Sequence, residues 1–187
     1  TISAPPTAYT VTGGGSYCVG GSGVPVGLSS SNVGVNYQLY HGSSAVAILP
    51  GTGLPLSFGL YTTTGIYTVI ATDVVTSCSN NMTGSAVVSV NPLPATYTVT
   101  GGGSYCTGGS GVSIGLSGSA TGISYQLYNG SSTIGGPVTG TGSAISFGTF
   151  TSGGTYTVIA TDLATACVAN MTGSAVISIN PLPTVYS

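Results

Sequence analysis

Apolar and polar residues alternate along this chain in short runs, and the runs have the period of a β-strand. Tyr9-Thr10-Val11-Thr12 alternates. Val24, Val26 and Leu28 fall on one face of the next run, and Val35, Tyr37 and Leu39 on one face of the run after it, with Tyr40 pointing the other way. A short apolar segment surrounds Ala45-Val46-Ala47-Ile48, and Leu54, Leu56 and Phe58 again share a face. The stretch 65–73, rich in β-branched and aromatic residues, reads as a central strand. The run 85–90 comes next, and Pro92 and Pro94 stop it. Gly and Pro punctuate every gap, and no stretch sustains a helical period. The chain is therefore expected to be all-β. Pro25 predicts an edge or a bulge in its strand. His41-Gly42 and Asn129-Gly130 predict hairpin turns.

The pattern occurs twice. Tyr97 to Cys106 repeats Tyr9 to Cys18, and Asn91-Pro92-Leu93-Pro94 returns as Asn180-Pro181-Leu182-Pro183. The repeat is about 88 residues long, with one residue inserted in the second copy between Tyr128 and Thr141. The expected organisation is one repeat over 7–94 and another over 95–183. Residues 1–6 match 89–94 and read as the end of a preceding repeat, and 184–187 as the start of a following one. Seven short strands per copy, with turns every 8–12 residues, predict two tandem immunoglobulin-like β-sandwiches. With no Trp in the chain, the antibody-type Cys–Trp–Cys core is excluded.

Charge changes the picture more than any motif. There is no Lys and no Arg, and Asp73 and Asp162 are the only acids. Nucleic-acid binding, which depends on basic side chains, is excluded. Lys- and Arg-based salt bridges are excluded as a source of stability, and trypsin has no site. Near-zero net charge favours association. Edge strands, usually guarded by Lys, must be covered, twisted away or used for assembly. No apolar run reaches the roughly 18–20 residues that a membrane span requires, so no membrane insertion is expected.

Several phrases together resemble a known group of repeats. Ser-Tyr-Cys-Thr-Gly-Gly-Ser-Gly-Val (104–112), Tyr-Gln-Leu-Tyr-Asn-Gly (125–130), Gly-Thr-Tyr-Thr-Val-Ile-Ala-Thr (154–161) and Asn-Pro-Leu-Pro (180–183) are similar to the Ig-like or PKD-like tandem repeats of very large secreted surface proteins of Bacteroidota. The resemblance covers essentially the whole chain. It implies export, surface attachment, and a role in adhesion or fibre formation. It also implies one Cys before the second strand and one between the last two. Cys18/Cys78 and Cys106/Cys167 match those positions. Such repeats usually carry more charge than this chain does.

The cysteines are the main candidate chemistry. In an exported domain, two per repeat suggest structural disulfides. Zinc is disfavoured because no CxxC pair is present. Four cysteines allow three connectivities. The preferred one pairs Cys18 with Cys78 and Cys106 with Cys167, the Gly clusters bringing the first loop round. The alternative is a ladder in which Cys18 reaches Cys167 of the next unit, with Cys78 and Cys106 bridging outward to neighbours.

The remaining candidates carry less. Asp73 and Asp162 occupy equivalent positions, but each repeat offers one carboxylate where calcium wants several; a turn-capping role is expected. His41 is the lone imidazole, replaced by Asn129 in the second copy, and reads as a turn residue. Asn81, Asn129 and Asn170 begin N-glycosylation sequons by pattern alone. No nucleophile–base constellation and no phosphate loop is present, so no catalysis, metal or cofactor is expected. The expected function is a disulfide-stapled, self-associating structural repeat of an extracellular bacterial fibre or adhesin. The alternative is a module binding carbohydrate or another surface through exposed Tyr17, Tyr40, Tyr105 and Tyr128, which are equally candidate assembly contacts.

Overall fold

The computed structural model describes residues 4–183, and the chain divides between Asn91 and Pro92 into two compact units. The expected repeat fragments at the ends lie, at 1–3 and 184–187, outside the described residues. The first unit holds nine strands: β1 (Val11–Gly13), β2 (Gly15–Cys18), β3 (Val24–Leu28), β4 (Val35–His41), β5 (Ser44–Pro50), β6 (Leu56–Tyr61), β7 (Gly65–Asp73), β8 (Ser79–Asn81) and β9 (Ala86–Asn91). The second repeats them as β10 (Val99–Gly101), β11 (Gly103–Cys106), β12 (Val112–Leu116), β13 (Ile123–Asn129), β14 (Ser132–Thr139), β15 (Ile145–Phe150), β16 (Gly154–Asp162), β17 (Val168–Asn170) and β18 (Ala175–Asn180).

In the first unit a three-stranded sheet, β1-β3-β6, is matched by a larger sheet ordered β2-β9-β7-β4-β5, with β8 pairing with β7. The second unit has the same order in β10-β12-β15 and β11-β18-β16-β13-β14. Each unit is an immunoglobulin-like sandwich with all strand pairings antiparallel except that of β2 with β9 and its counterpart β11 with β18. The two extra strands beyond the expected seven come from the split of the first strand and from the short strand β8.

That split is made by glycine. β1 pairs with β3 in one sheet, and β2 then joins the other sheet beside β9. Between them Gly13, Gly14 and Gly15 have φ of 90°, 78° and 128°. A Cβ on Gly13 would lie 2.1 Å from the Pro25 carbonyl oxygen, and one on Gly14 would lie 2.7 Å from that of Val87. Only glycine fits a backbone crossing this close to both sheets.

The alternation seen in the sequence places the core. Val26, Leu28, Tyr37, Leu39, Tyr67, Val69, Ala71 and Val88 are buried in the first unit, as are Ile114, Leu116, Tyr125, Leu127, Tyr156, Val158 and Ala160 in the second. Tyrosine takes the place of tryptophan. Tyr37 accepts a hydrogen bond from the Asn32 N–H at 2.9 Å, and Tyr67 donates to the Thr63 carbonyl at 2.9 Å, four residues back at the corner between sheets. Tyr125 and Tyr156 repeat both bonds with Ala120 and Ser152.

Three local expectations shift. The hairpin turns are Gly42-Ser43 and Gly130-Ser131, one residue later than expected, because His41 pairs with Ser44 and Asn129 with Ser132. Gly at the first of two turn positions suits a primed turn. Pro25 sits in the middle strand of its sheet but beyond the last β1 pair, with a bulge between Val26 and Gly27. Its missing N–H falls where β1 has ended. The inserted residue widens a bulge in edge strand β14, where Gln126 Nε2 donates to the Ile134 carbonyl at 3.2 Å.

Replacing Gly13 or Gly101 by Val should destabilise its unit by about 3 kcal/mol or more, through forced φ and backbone collision. Tyr67→Phe should cost about 1 kcal/mol, the value of one hydrogen bond. Thermal or denaturant unfolding of each variant checks the order.

Candidate functional site

The two ends of each unit hold its cysteines. Cys18 ends β2, level with Asn91 of β9, and the next residue's N–H, that of Val19, donates to the Asn91 carbonyl at 3.0 Å. A tight turn fixes it, with the Gly21 N–H donating to the Cys18 carbonyl at 2.9 Å. Cys78 lies beyond the other end of β7, its carbonyl accepting from the Asp73 N–H at 2.9 Å. Val88, three residues before Asn91, pairs with Gly65 at the start of β7, and Asp73 is the last of its nine residues. At about 3.3 Å per residue the two cysteines of the unit are more than about 25 Å apart. A disulfide needs Cα atoms within about 7 Å.

The same geometry holds in the second unit, where Cys106 pairs with Asn180 and the Cys167 carbonyl accepts from Asp162 at 2.8 Å. The preferred pairing within units, Cys18 with Cys78 and Cys106 with Cys167, is therefore corrected. The glycines after the first strand carry the chain along β9 toward its exit, not back toward the loop after β7. In the first unit Cys18 is disulfide-bonded; in the second, Cys167 is disulfide-bonded and fully buried. Cys106 is an exposed free thiol.

The two acids shape the loop that carries the second cysteine. Asp73 Oδ1 accepts from the Val75 and Thr76 N–H groups at 2.9 and 2.8 Å, and its carbonyl accepts from Ser77 at 3.0 Å. Ser77 adopts φ 59°, and Ala166 in the second unit φ 58°. Asp162 caps its loop through Ala164 and Thr165. The backbone N–H groups of Thr76 and Thr165, then those of Val75 and Ala164, hold both carboxyls below the usual carboxylate value. Each carboxylate thus serves as a turn cap. Among the described residues no three His, Cys, Asp or Glu side chains gather where they could hold a metal ion.

The four candidate tyrosines divide in two. Tyr17 and Tyr105 are half-buried against the cores, and their hydroxyls donate to the carbonyls of Thr62, at 2.6 Å, and Thr151. The crossing strand lays each ring over the end of the sandwich. Tyr40 and Tyr128 are half-exposed on the outer faces of β4 and β13. His41 stacks on Tyr67 with ring centroids 4.8 Å apart, and its Nε2 donates to the Thr64 carbonyl at 3.0 Å. Asn129 makes the equivalent bond to the Gly153 carbonyl at 3.2 Å, so both act as corner ties.

The outer face of the larger sheet was not singled out by the sequence pattern. Ile66 and Val87 pair across β7 and β9 and point outward, 55% and 50% exposed. Ile48 on edge strand β5 is 57% exposed, and Val176 in the second unit 52%. The signal was present: 65–73 carries β-branched residues on both faces, more than one buried face requires. A shallow groove of about 320 Å³ on the smaller sheet of the second unit, lined by Thr100, Ser113, Ile114, Ile145 and Ser146, offers only hydroxyl and aliphatic side chains.

No family model matches the chain, and no curated protein matches it. Among solved structures it is similar to the human OSCAR ligand-binding domain, at 12% identity over 93% of this chain and 100% of that one, with a TM-score of 0.38. It is similar to fibronectin(III)-like modules of Clostridium thermocellum CbhA, at 14% identity over 96% and 98%, with a TM-score of 0.45. A structure of the mouse coronavirus receptor-binding domain with its murine receptor gives 12% identity over 92% and 100%, with a TM-score of 0.49. Strand order and register assign the fold, and these likenesses carry no ligand or activity to this chain. No helix among the described residues is long and apolar enough to cross a membrane.

The lowered carboxyls fix the sign of the acid response. Their contribution to stability is complete above the ordinary value of 3.8 and is lost as pH falls below it through the folded-state value. Acid titration of the unfolding midpoint should show this loss, and it should shrink in Asp73→Ala/Asp162→Ala. Raising NaCl from about 10 to 500 mM at pH 7 should barely move the midpoint, since no Lys or Arg exists to form a screened pair.

Proposed function

We propose that the chain is a structural repeat pair of an extracellular bacterial fibre or adhesin, acting by self-association and without catalysis. The observation that carries this reading is the uncharged surface with apolar side chains standing out from it. Ile48, Ile66 and Val87 rise from one sheet face, and edge strands β5 and β14 contain no charged residue to repel a neighbouring strand. Both carboxylates of the chain are occupied in turns. The sequence resemblance to Bacteroidota surface repeats supports the source and the extracellular location. The split into repeats over 7–94 and 95–183 belongs to the same proposal.

Tyr40 and Tyr128 keep a second reading open, binding of surface glycans, because both rings lie half-exposed on outer sheet faces beside Gln38 and Gln126. Signal on a glycan array that disappears in Tyr40→Ala/Tyr128→Ala would favour it over assembly.

Sedimentation of the recombinant pair in reductant should show association that rises with concentration. Ile66→Lys/Val87→Lys, which sets like charges on paired outward positions, should weaken it roughly tenfold or more. A wild-type chain that stays monomeric at every concentration would overturn the reading.

A further inference from the structure

Each unit carries its cysteines at opposite ends, and the ends differ in kind. The Cys18 and Cys106 class stands where the chain leaves a unit, beside Asn91 or Asn180. The Cys78 and Cys167 class stands near where the chain enters. Next to Cys78, Asn80 Nδ2 on β8 donates to the Pro6 carbonyl at 2.7 Å, and Thr83 pairs with Thr10. In-unit bridges are excluded by distance, yet one cysteine of each class, Cys18 and Cys167, is disulfide-bonded. Cys106 sits in the same local structure as Cys18. Its carbonyl accepts from the Gly109 N–H at 2.9 Å, as that of Cys18 does from Gly21, and the next residue, Thr107, donates to the Asn180 carbonyl at 2.9 Å. Its thiol is exposed.

We propose that Cys106 is a covalent coupling point: it forms a disulfide with the entry-end Cys78 of another copy of this chain. Cys106 then acts as a link between copies, where the sequence suggested a staple within its unit. The contact is head to tail, joining unlike ends, and such contacts build open chains or closed rings. This deepens the proposed structural role and rests on it. Two thiols lose two protons and two electrons as the S–S bond forms. A disulfide oxidant takes them up and is reduced to two thiols.

The test uses the whole chain in oxidised glutathione, read by non-reducing electrophoresis and by peptide mapping with chymotrypsin, since trypsin has no site. Expected are disulfide-linked multimers that collapse on reduction, with Cys106 mapped to Cys78 of a second molecule. Cys106→Ser should abolish the multimers and leave the circular dichroism and unfolding midpoint unchanged. Multimers that persist in Cys106→Ser, a Cys106–Cys106 link, or a wild-type chain that remains uncrosslinked would each overturn the proposal. Sedimentation in reductant separates the two claims. Association there without crosslinking in oxidant removes the coupling and leaves the structural reading, whereas failure of both removes both.

Discussion

The crossing of the chain from one sheet to the other at Gly13-Gly14-Gly15 governs the layout of the first unit, as Gly101-Gly102-Gly103 does that of the second. The backbone passes so close to Pro25 and Val87 that no side chain fits at Gly13 or Gly14. Having crossed, β2 has one place to go, beside β9 and parallel to it. That closes the larger sheet with the first and last segments of the unit side by side. It also carries Tyr17 over the end of the sandwich and leaves Cys18 level with Asn91. A short glycine run thus decides where a cysteine, an aromatic and the chain exit meet.

The missing charges place a second demand on the fold. Without Lys or Arg, stability comes from burial and from hydrogen bonds that leave few polar groups unpaired. Tyrosine suits this economy because it brings a large apolar ring and a hydroxyl that ties a nearby corner. Tyr37, Tyr67, Tyr125 and Tyr156 are all nearly fully buried and all bonded to backbone. The two carboxylates are likewise used as local acceptors. The surface is left with hydroxyls and aliphatic groups, and for such a surface contact with another copy costs little desolvation.

Much of this fold is legible in the sequence. Period-two alternation locates the strands, and the internal repeat locates the two units. The placing of Val35, Tyr37 and Leu39 on one face predicts their burial. What pattern alone does not reveal is direction. A run such as Thr12 to Cys18 reads as one strand and a loop, and nothing in its alternation says that it changes sheets. The error in cysteine pairing has this origin, since equal spacing in two copies is satisfied by a bridge inside each unit or by links outside it. The outward row of Ile66 and Val87 is visible in composition, but its meaning depends on knowing which face the core takes.

Opposite-end cysteines and parallel terminal strands also fit a single mechanical logic. In the proposed fibre, a pull would enter a unit near Thr10, which bridges Thr83, and leave at Asn91, which lies beside Cys18. Between those points β2 and β9 run parallel, so the pull loads an evenly spaced set of hydrogen bonds together instead of opening them one at a time. A disulfide inside the unit would protect the fold but add nothing where one repeat meets another. The proposed disulfide at Cys106 would place its covalent bond where the hydrogen-bonded sandwich ends. For a protein with no Lys or Arg, that is where a covalent link would contribute most.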